Sequence, residues 1–493
     1  MRKPEKLQII RNVGSSWFAL GISVGVGLFL SPFILHRLGD EAFGIWVLIF
    51  SLTGYYGLFD LGIRSSIVRY ISKDVTTNDF EHAAKVVNTS LFSYSLIGTA
   101  TFLITIAITF YLPDIFRSIP AQFVSTARWL LLMVGTSVAL GFPLGVSGGV
   151  LEGLQKFYVL NWTNIVATVL RAVFIVIALR RGYGLLMVAF ITVALPFLMS
   201  LIRAVIAAQL LRVPLGLEYV NRTVFQEVAR YGGPTFLIII AARLRFKSDS
   251  IVIGSFLSAT AITYFNIGSR IVDYATEVVE SLAQIFNPMS SHSEAQGNLN
   301  RLRKIFVTGN RFCAFTIFPI CAALVILGKS VIEVWVGIRY VKQSYPVLLI
   351  ILFPTTMLLA QAASPRVLFG MSKHKLWAVI SLIEGIVNVV LSIILVRPYG
   401  IVGDALGTAI PLAATTIFFL PRHLCQNLQI ALRTYLREAY LLPAIVCIPT
   451  IVVLLLMKSW FVPHNYPQLA AHLAVSGLVY GLSMMWAFAL EGR

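Results

Sequence analysis

Charge is what this sequence has least of. Only 12% of its 493 residues are Asp, Glu, Lys or Arg, while 58% are hydrophobic and mean hydropathy is +0.84. A soluble domain carries about 25% charged residues, so an ordinary soluble fold is excluded and a polytopic membrane protein is expected. Acidic residues are scarcer still, 21 against 39 Lys+Arg, which leaves a net charge of +18. In a soluble chain that excess would suggest nucleic acid. In an apolar one it is first a topology signal, and no nucleic-acid partner is expected.

Cysteine is nearly absent: Cys313, Cys321, Cys425 and Cys447 show no CxxC or other ligand spacing, so neither disulfides nor metal are inferred. Long polar loops are missing too. The longest polar stretch is SSHSEAQGNLNRLRK at 290–304, short for a membrane glycosyltransferase or polymerase that needs a loop to carry catalytic acids. Nucleotide and protease motifs are incomplete. GKS at 328–330 has Ala323 where a P-loop needs its first glycine, and His292 and Glu294 lack the HExxH spacing. A non-enzymatic protein is expected, without cofactor, that draws on an ion gradient or membrane potential; proton and sodium both stay open.

What is abundant is apolar sequence. Windows of about 20 apolar residues, enough to cross about 30 Å of hydrocarbon, predict an all-α fold of fourteen transmembrane helices, from 13–35 to 469–489 and including separate spans at 376–396 and 401–420. The basic start MRKPEKLQIIR precedes the first window without a small-residue cleavage site, so that window is taken as a helix and not a signal peptide. With both termini cytoplasmic, 23 Lys/Arg fall in cytoplasmic segments, 10 in the opposite ones and six within spans. That bias fits the positive-inside rule.

The chain also repeats itself weakly. RNVGSSWFALGISVG (11–25) lies over RYGGPTFLIIIAARL (230–244) at a spacing of 219, and VLEGLQKF (150–157) over VLFGMSKH (367–374) at 217. Two pseudo-symmetric six-helix lobes are expected, 1–214 and 231–421, joined by a cytoplasmic linker at 215–230 and followed by two extra helices in 422–493.

Ionisable groups inside apolar spans are costly and point to function. AARLRFKSDSIVIG (241–254) holds Arg243, Arg245, Lys247 and Asp249. At about 100° per residue, Arg243 and Lys247 share one face, while Arg245 and Asp249 share the other and can neutralise each other. Arg243 and Lys247 are therefore expected to line a cavity for an anion. Further on, Asn266, Arg270, Asp273, Glu277 and Glu280 recur at spacings of 4, 3, 4 and 3, a polar stripe suited to a cavity wall. Asp273 and Glu277 are candidates to carry a coupling proton or to pair with Arg243 or Lys247. Asp60 and Arg64, four apart, are expected to form a local salt bridge or, alternatively, a cytoplasmic gate or first contact for an anionic cargo. Arg171 is a lone arginine with Asn164 two turns before it, expected to point between helices or into the cavity, and Arg203 is expected to snorkel. Glu384 has no oppositely charged neighbour within four residues and, with Asp249, is a further candidate for ion coupling or a carboxyl kept protonated by its surroundings.

Three stretches carry a family resemblance. FGIWVLIFSLTGYYGLFDLGIRSSIVRYIS (43–72), SDSIVIGSFLSATAITYFNIGSRI (248–271) and NVVLSIILVRPYGIVGDALGTAI (388–410) resemble the helix 2, helix 7–8 and helix 11–12 segments of Wzx-like polysaccharide flippases. These belong to the multidrug/oligosaccharidyl-lipid/polysaccharide exporter superfamily, which includes the MATE transporters. The resemblance implies a V-shaped alternating-access transporter in the bacterial inner membrane. Its cargo would be an undecaprenyl-pyrophosphate-linked oligosaccharide carried to the outer leaflet for O-antigen, capsule or exopolysaccharide synthesis, by a monomer working beside polymerase or export proteins. Binding of the pyrophosphate or acidic sugars would fall to Arg243, Arg245, Lys247 and Arg270. The lipid II branch has an arginine-aspartate arrangement near the start of helix 1. Here helix 1 carries no charge between Arg11 and His36. The alternative within the superfamily is a multidrug/cation antiporter, which favours carboxylates and aromatics over a central positive excess.

Overall fold

The computed structural model describes residues 3–117, 119–373 and 375–491, with 3–13, 231–235, 237–239, 241–242, 245–247 and 490–491 as backbone alone. No strand occurs among the described residues. Helices are what a bilayer demands, because no water is available there to satisfy an exposed backbone. In chain order they are α1 Lys3–Leu38, α2 Asp40–Gly54, α3 Ile63–Thr77, α4 Phe80–Ile115, α5 Ala121–Gly153, α6 Phe157–Arg180, α7 Leu185–Leu211, α8 Arg222–Lys247, α9 Asp249–Phe256 and α10 Ala259–Ala283. There follow α11 Phe286–Ala295, α12 Leu299–Val336, α13 Ile338–Ala360, α14 Ala363–Gly370, α15 Lys375–Ala414, α16 Leu420–Leu428, α17 Leu432–Leu436, α18 Leu442–Trp460 and α19 Tyr466–Glu491.

Eleven continuous helical segments of the described chain are long and apolar enough to cross a membrane. The protein is therefore a multi-pass membrane protein, and the all-α fold class stands. The difference from fourteen has identifiable sources. One of the eleven runs unbroken from Lys375 to Leu428 over 54 residues, yet Gly400 within it has φ 58° and ψ −139°. The chain doubles back there. Asn388 Nδ2 donates to Thr408 Oγ1 (3.2 Å), and Ser392 Oγ donates to the Asp404 carbonyl (3.3 Å). This element is a helical hairpin, as the separate windows at 376–396 and 401–420 require. The other two expected spans, α8 and α10, carry the interior charges and are not among the eleven.

The chain forms two compact units, Met1–Arg243 with Leu257–Thr260, and Leu244–Phe256 with Ala261–Arg493. In the first, Ile67 and Ile71 of α3, Val86 of α4, Leu151 of α5 and Leu211 of α7 share one buried core. In the second, Phe306 of α12, Leu368 of α14, Leu424 of α16 and Tyr435 of α17 do the same. Asn310 Nδ2 adds buried hydrogen bonds to Ser364 Oγ (2.9 Å) and Tyr435 Oη (3.0 Å).

The internal repeat has a backbone counterpart. The turn closing α5 and the turn closing α14 are built alike at a spacing of 217. Gln155 and Ser372 both adopt positive φ, 58° and 56°. The bonds Lys156 N to Leu151 O (2.8 Å) and Gln155 N to Glu152 O (2.9 Å) recur as Lys373 N to Leu368 O (2.9 Å) and Ser372 N to Phe369 O (3.0 Å). Two stretches with modest sequence likeness make one helix-ending device.

Candidate substrate and ion sites

In the first unit the site begins at a break in a helix. After α2 the chain passes through a 3-10 turn at Tyr55–Asp60, and then Leu61 and Gly62 both take left-handed conformations, φ 50° and 75°. Asp60 and Arg64 therefore stand on different elements, and the expected intrahelical pair is not formed. Tyr94 of α4 donates its hydroxyl to Asp60. Arg64 crosses to α5, where Nη2 meets Glu152 Oε1 at 2.5 Å. Two separate contacts, from the turn to α4 and from α3 to α5, thus stand where a local pair was expected. Glu152 and Tyr94 escaped the sequence reading because their partners lie 88 and 34 residues away.

Arg203 of α7 has a partner on the neighbouring helix, its Nη2 donating to Asn164 Oδ1 of α6 at 3.0 Å. Asn164 therefore serves α7, and Arg171 has no hydrogen-bond or ion-pair partner among the described residues.

Arg243, on α8, is placed by two glycines. A Cβ on Gly57 would stand 3.0 Å from its Nη2, and one on Gly54 would stand 3.9 Å from Nη1. Tyr55 Oη donates to the Arg243 carbonyl at 3.3 Å. No carboxylate meets this guanidinium among the described residues. The side chains of Lys247, expected on the same face, and of Arg245, expected on the other, lie outside the described residues.

In the second unit, α10 shows the expected stripe. Ile271, Val272, Ala275, Val279 and Ala283 are buried, while Arg270, Asp273 and Glu277 are each a third to a half exposed. Arg270 Nη1 lies 3.7 Å from Asp273 Oδ2 and 3.5 Å from Glu277 Oε1. Its guanidinium also sits 4.5 Å from the centre of the Tyr274 ring. Arg270 is thus attracted by its own helix and is less available to an incoming anion than Arg243. Glu280 leaves the stripe and pairs with Arg366 of α14.

A second constellation in this unit is buried. Thr408 Oγ1 donates to Asp249 Oδ1 at 2.8 Å and receives the bond from Asn388. Asp404 is fully buried beside them, and neither of its carboxylate oxygens is hydrogen-bonded by a described residue. A buried polar group without a partner is rare and asks for an explanation. Glycines flank Asp404 in GDALG (403–407), a pattern suited to close helix packing, and the α15 hairpin sets its carboxyl beside Asp249. Glu384 lies further along α15 and receives a hydrogen bond from Thr415. Among the described residues no three His, Cys, Asp or Glu side chains cluster as metal ligands.

Comparison with known proteins now has geometry to attach to. A family model described as "polysaccharide biosynthesis protein" matches residues 34–346. A Shigella flexneri protein named for O-antigen transport is 20% identical over 420 residues, covering 82% of this chain and 95% of its own. Bacillus subtilis membrane protein EpsK is 20% identical over 430 residues, covering 83% and 82%. Among solved structures, the inward-closed lipid II flippase MurJ superposes with a TM-score of 0.74 at 16% identity, covering 99% of this chain and all of its own. An inward-facing MATE multidrug transporter superposes at 0.65 with 15% identity, covering 84% and 95%. At such identities the two structures establish a shared fold and nothing finer.

Proposed function

The chain belongs to the polysaccharide biosynthesis protein family, and on that premise we propose that it flips a polyprenyl-pyrophosphate-linked oligosaccharide from the inner to the outer leaflet of the bacterial cytoplasmic membrane. One observation carries this reading: Arg243 and Arg171 lie within or beside apolar helices of the first unit without a carboxylate among the described residues. A guanidinium cannot shed its proton at any physiological pH. Its charge at membrane depth therefore calls for a wet cavity or an anion brought from outside. A pyrophosphate supplies that anion with oxygens suited to the planar fork of arginine. Arg243, held in the notch of Gly54 and Gly57, is the first such contact, with Arg171 of the same unit as a further positive group.

Energy would enter through the second unit. Asp404, buried without hydrogen-bond donors beside Asp249 and Thr408, is suited to hold a proton or small cation whose entry changes the local charge. Both named relatives and the fold neighbours are membrane transport or membrane proteins by title, which supports transport over catalysis. The two-lobe division at 214 and 231 and the fourteen crossings are kept as parts of this proposal.

The test is movement of a fluorescent polyprenyl-pyrophosphate oligosaccharide across proteoliposomes, comparing wild type with Arg243→Ala. Translocation by wild type, reduced about tenfold or more in the variant at equal reconstitution, is the expected result. Equal rates would remove Arg243 from the mechanism. Efflux of an organic cation by wild type, with no lipid movement, would transfer the protein to the antiporters.

A further inference from the structure

Between α1 and α6 the first unit holds a cavity of about 500 Å³ that the cargo site does not use. The two helices run parallel and are pinned at one end. Asn161 Nδ2 donates to Ser15 Oγ (2.8 Å) and Ser16 Oγ (2.9 Å), and the rings of Phe18 and Trp162 lie 6.0 Å apart. Beyond that pin a cavity opens along both helices. Gly21, Gly25, Phe29 and Phe33 line one wall, and Ala172 and Val176 the other. The glycines are not there for tight packing, since a Cβ on Gly21 or Gly25 would meet nothing within 4 Å. Their missing side chains leave a trough.

One end of this trough is basic. Arg180 lines it, and the Arg37 guanidinium sits 5.8 Å from the centre of the Phe33 ring. Both arginines are exposed, and neither has a carboxylate partner among the described residues. From Gly21 to Phe33 the helix rises about 18 Å at 1.5 Å per residue. One leaflet contributes about half of a 30 Å hydrocarbon core. An apolar trough of leaflet length that ends at two guanidiniums complements a single lipid chain with an anionic head. The distribution of Lys and Arg between loops places that end on the outer side.

We propose that this groove seats the lipid product after translocation, its polyprenyl chain along α1 and α6 and its diphosphate against Arg37 and Arg180. The inference rests on the flippase reading and names the outer-leaflet station of the same lipid. Two fixed cations favour a diphosphate over a phosphodiester headgroup with a single charge. The glycine trough accepts the methyl-branched chain at a place where longer side chains would fill it.

Photo-crosslinking tests this on the full-length protein in proteoliposomes, with a diazirine-bearing polyprenyl diphosphate and peptide mapping by mass spectrometry. Label is expected in residues 21–33 and 172–180. Gly21→Leu/Gly25→Leu fills the trough where open space tolerates it, so the variant should fold and lose about tenfold of that label. Arg37→Gln/Arg180→Gln should lose a similar factor, as removal of charge-assisted hydrogen bonds does. It should, however, keep labelling by the neutral polyprenol probe. Undiminished label in the filled variant overturns the groove. So does equal displacement of the probe by phosphatidylglycerol, which would make the trough a seat for bulk lipid. Loss of the groove label in wild type, with Arg243-dependent translocation intact, sinks this inference alone. Groove labelling with no translocation sinks the flippase reading instead.

Discussion

Arg243 shows how a single residue can be legible in sequence while its setting is not. Its charge in an apolar segment marked it at once. The notch that receives it comes from Gly54 and Gly57, almost two hundred residues earlier, and no local pattern links them. The notch makes a sharp prediction. Gly57→Val puts a branched side chain where the guanidinium lies, since a Cβ alone would already stand 3.0 Å away. The arginine is flexible and can swing aside, so stability should change little while lipid translocation falls toward the Arg243→Ala level. Normal transport in a well-folded Gly57→Val would separate the notch from the site. Asp404 is the opposite case. Its sequence neighbours, glycine and alanine, suit packing, and only the hairpin reveals a fully buried carboxyl with no hydrogen-bond partner among the described residues. Asp404→Asn should abolish the dependence of transport on an imposed proton or sodium gradient, while binding of the lipid diphosphate in detergent stays within about threefold, because the site of anion contact lies in the other unit. Gradient-driven transport surviving in Asp404→Asn would move coupling elsewhere, with Asp249, Glu277, Asp273 and Glu384 as the remaining carboxyls.

At the scale of elements, hydropathy fixes where helices are and says little about how they turn. The windows at 376–396 and 401–420 found both arms of α15, with the turn at Gly400 falling between them. The closeness of the arms was not visible. A Cβ on Gly403 would stand 1.9 Å from the Leu395 carbonyl oxygen, and one on Gly407 would stand 2.5 Å from the Ser392 nitrogen. Those are backbone atoms and cannot move without parting the arms. Gly407→Val should therefore lower thermal stability by the cost of forced repacking, about 1–3 kcal/mol or more. It should also disturb the Asp249–Thr408–Asn388 bonds carried by the same turns. Thermal unfolding followed by intrinsic fluorescence reads the first effect, and loss of gradient dependence reads the second. A variant as stable as wild type would contradict the packing. The Asp60–Arg64 pair failed at this scale as well. Spacing of four residues implies contact only while the helix continues, and two successive left-handed residues at 61 and 62 end it. Gly62 was a visible warning, whereas the positive φ of Leu61 had no signal in its residue type.

For the whole molecule, orientation is the property on which the other proposals turn, and it rests on loop charge alone. The 23-to-10 distribution of Lys and Arg puts the polar stretch 290–304 in the cytoplasm and the α6–α7 turn outside. Three of the four native cysteines are buried, so background labelling by a membrane-impermeant maleimide should be low once Cys321→Ser removes the fourth. Arg181→Cys, in an exposed turn, should then react in intact cells. Gln296→Cys, equally exposed, should react only after permeabilisation. The reverse pattern would leave the chemistry of every site in place and exchange their meanings. Arg37 and Arg180 would then face the cytoplasm, and the groove between α1 and α6 would become a place of entry for a lipid diphosphate and not of release. Orientation therefore decides which step of transport that groove serves.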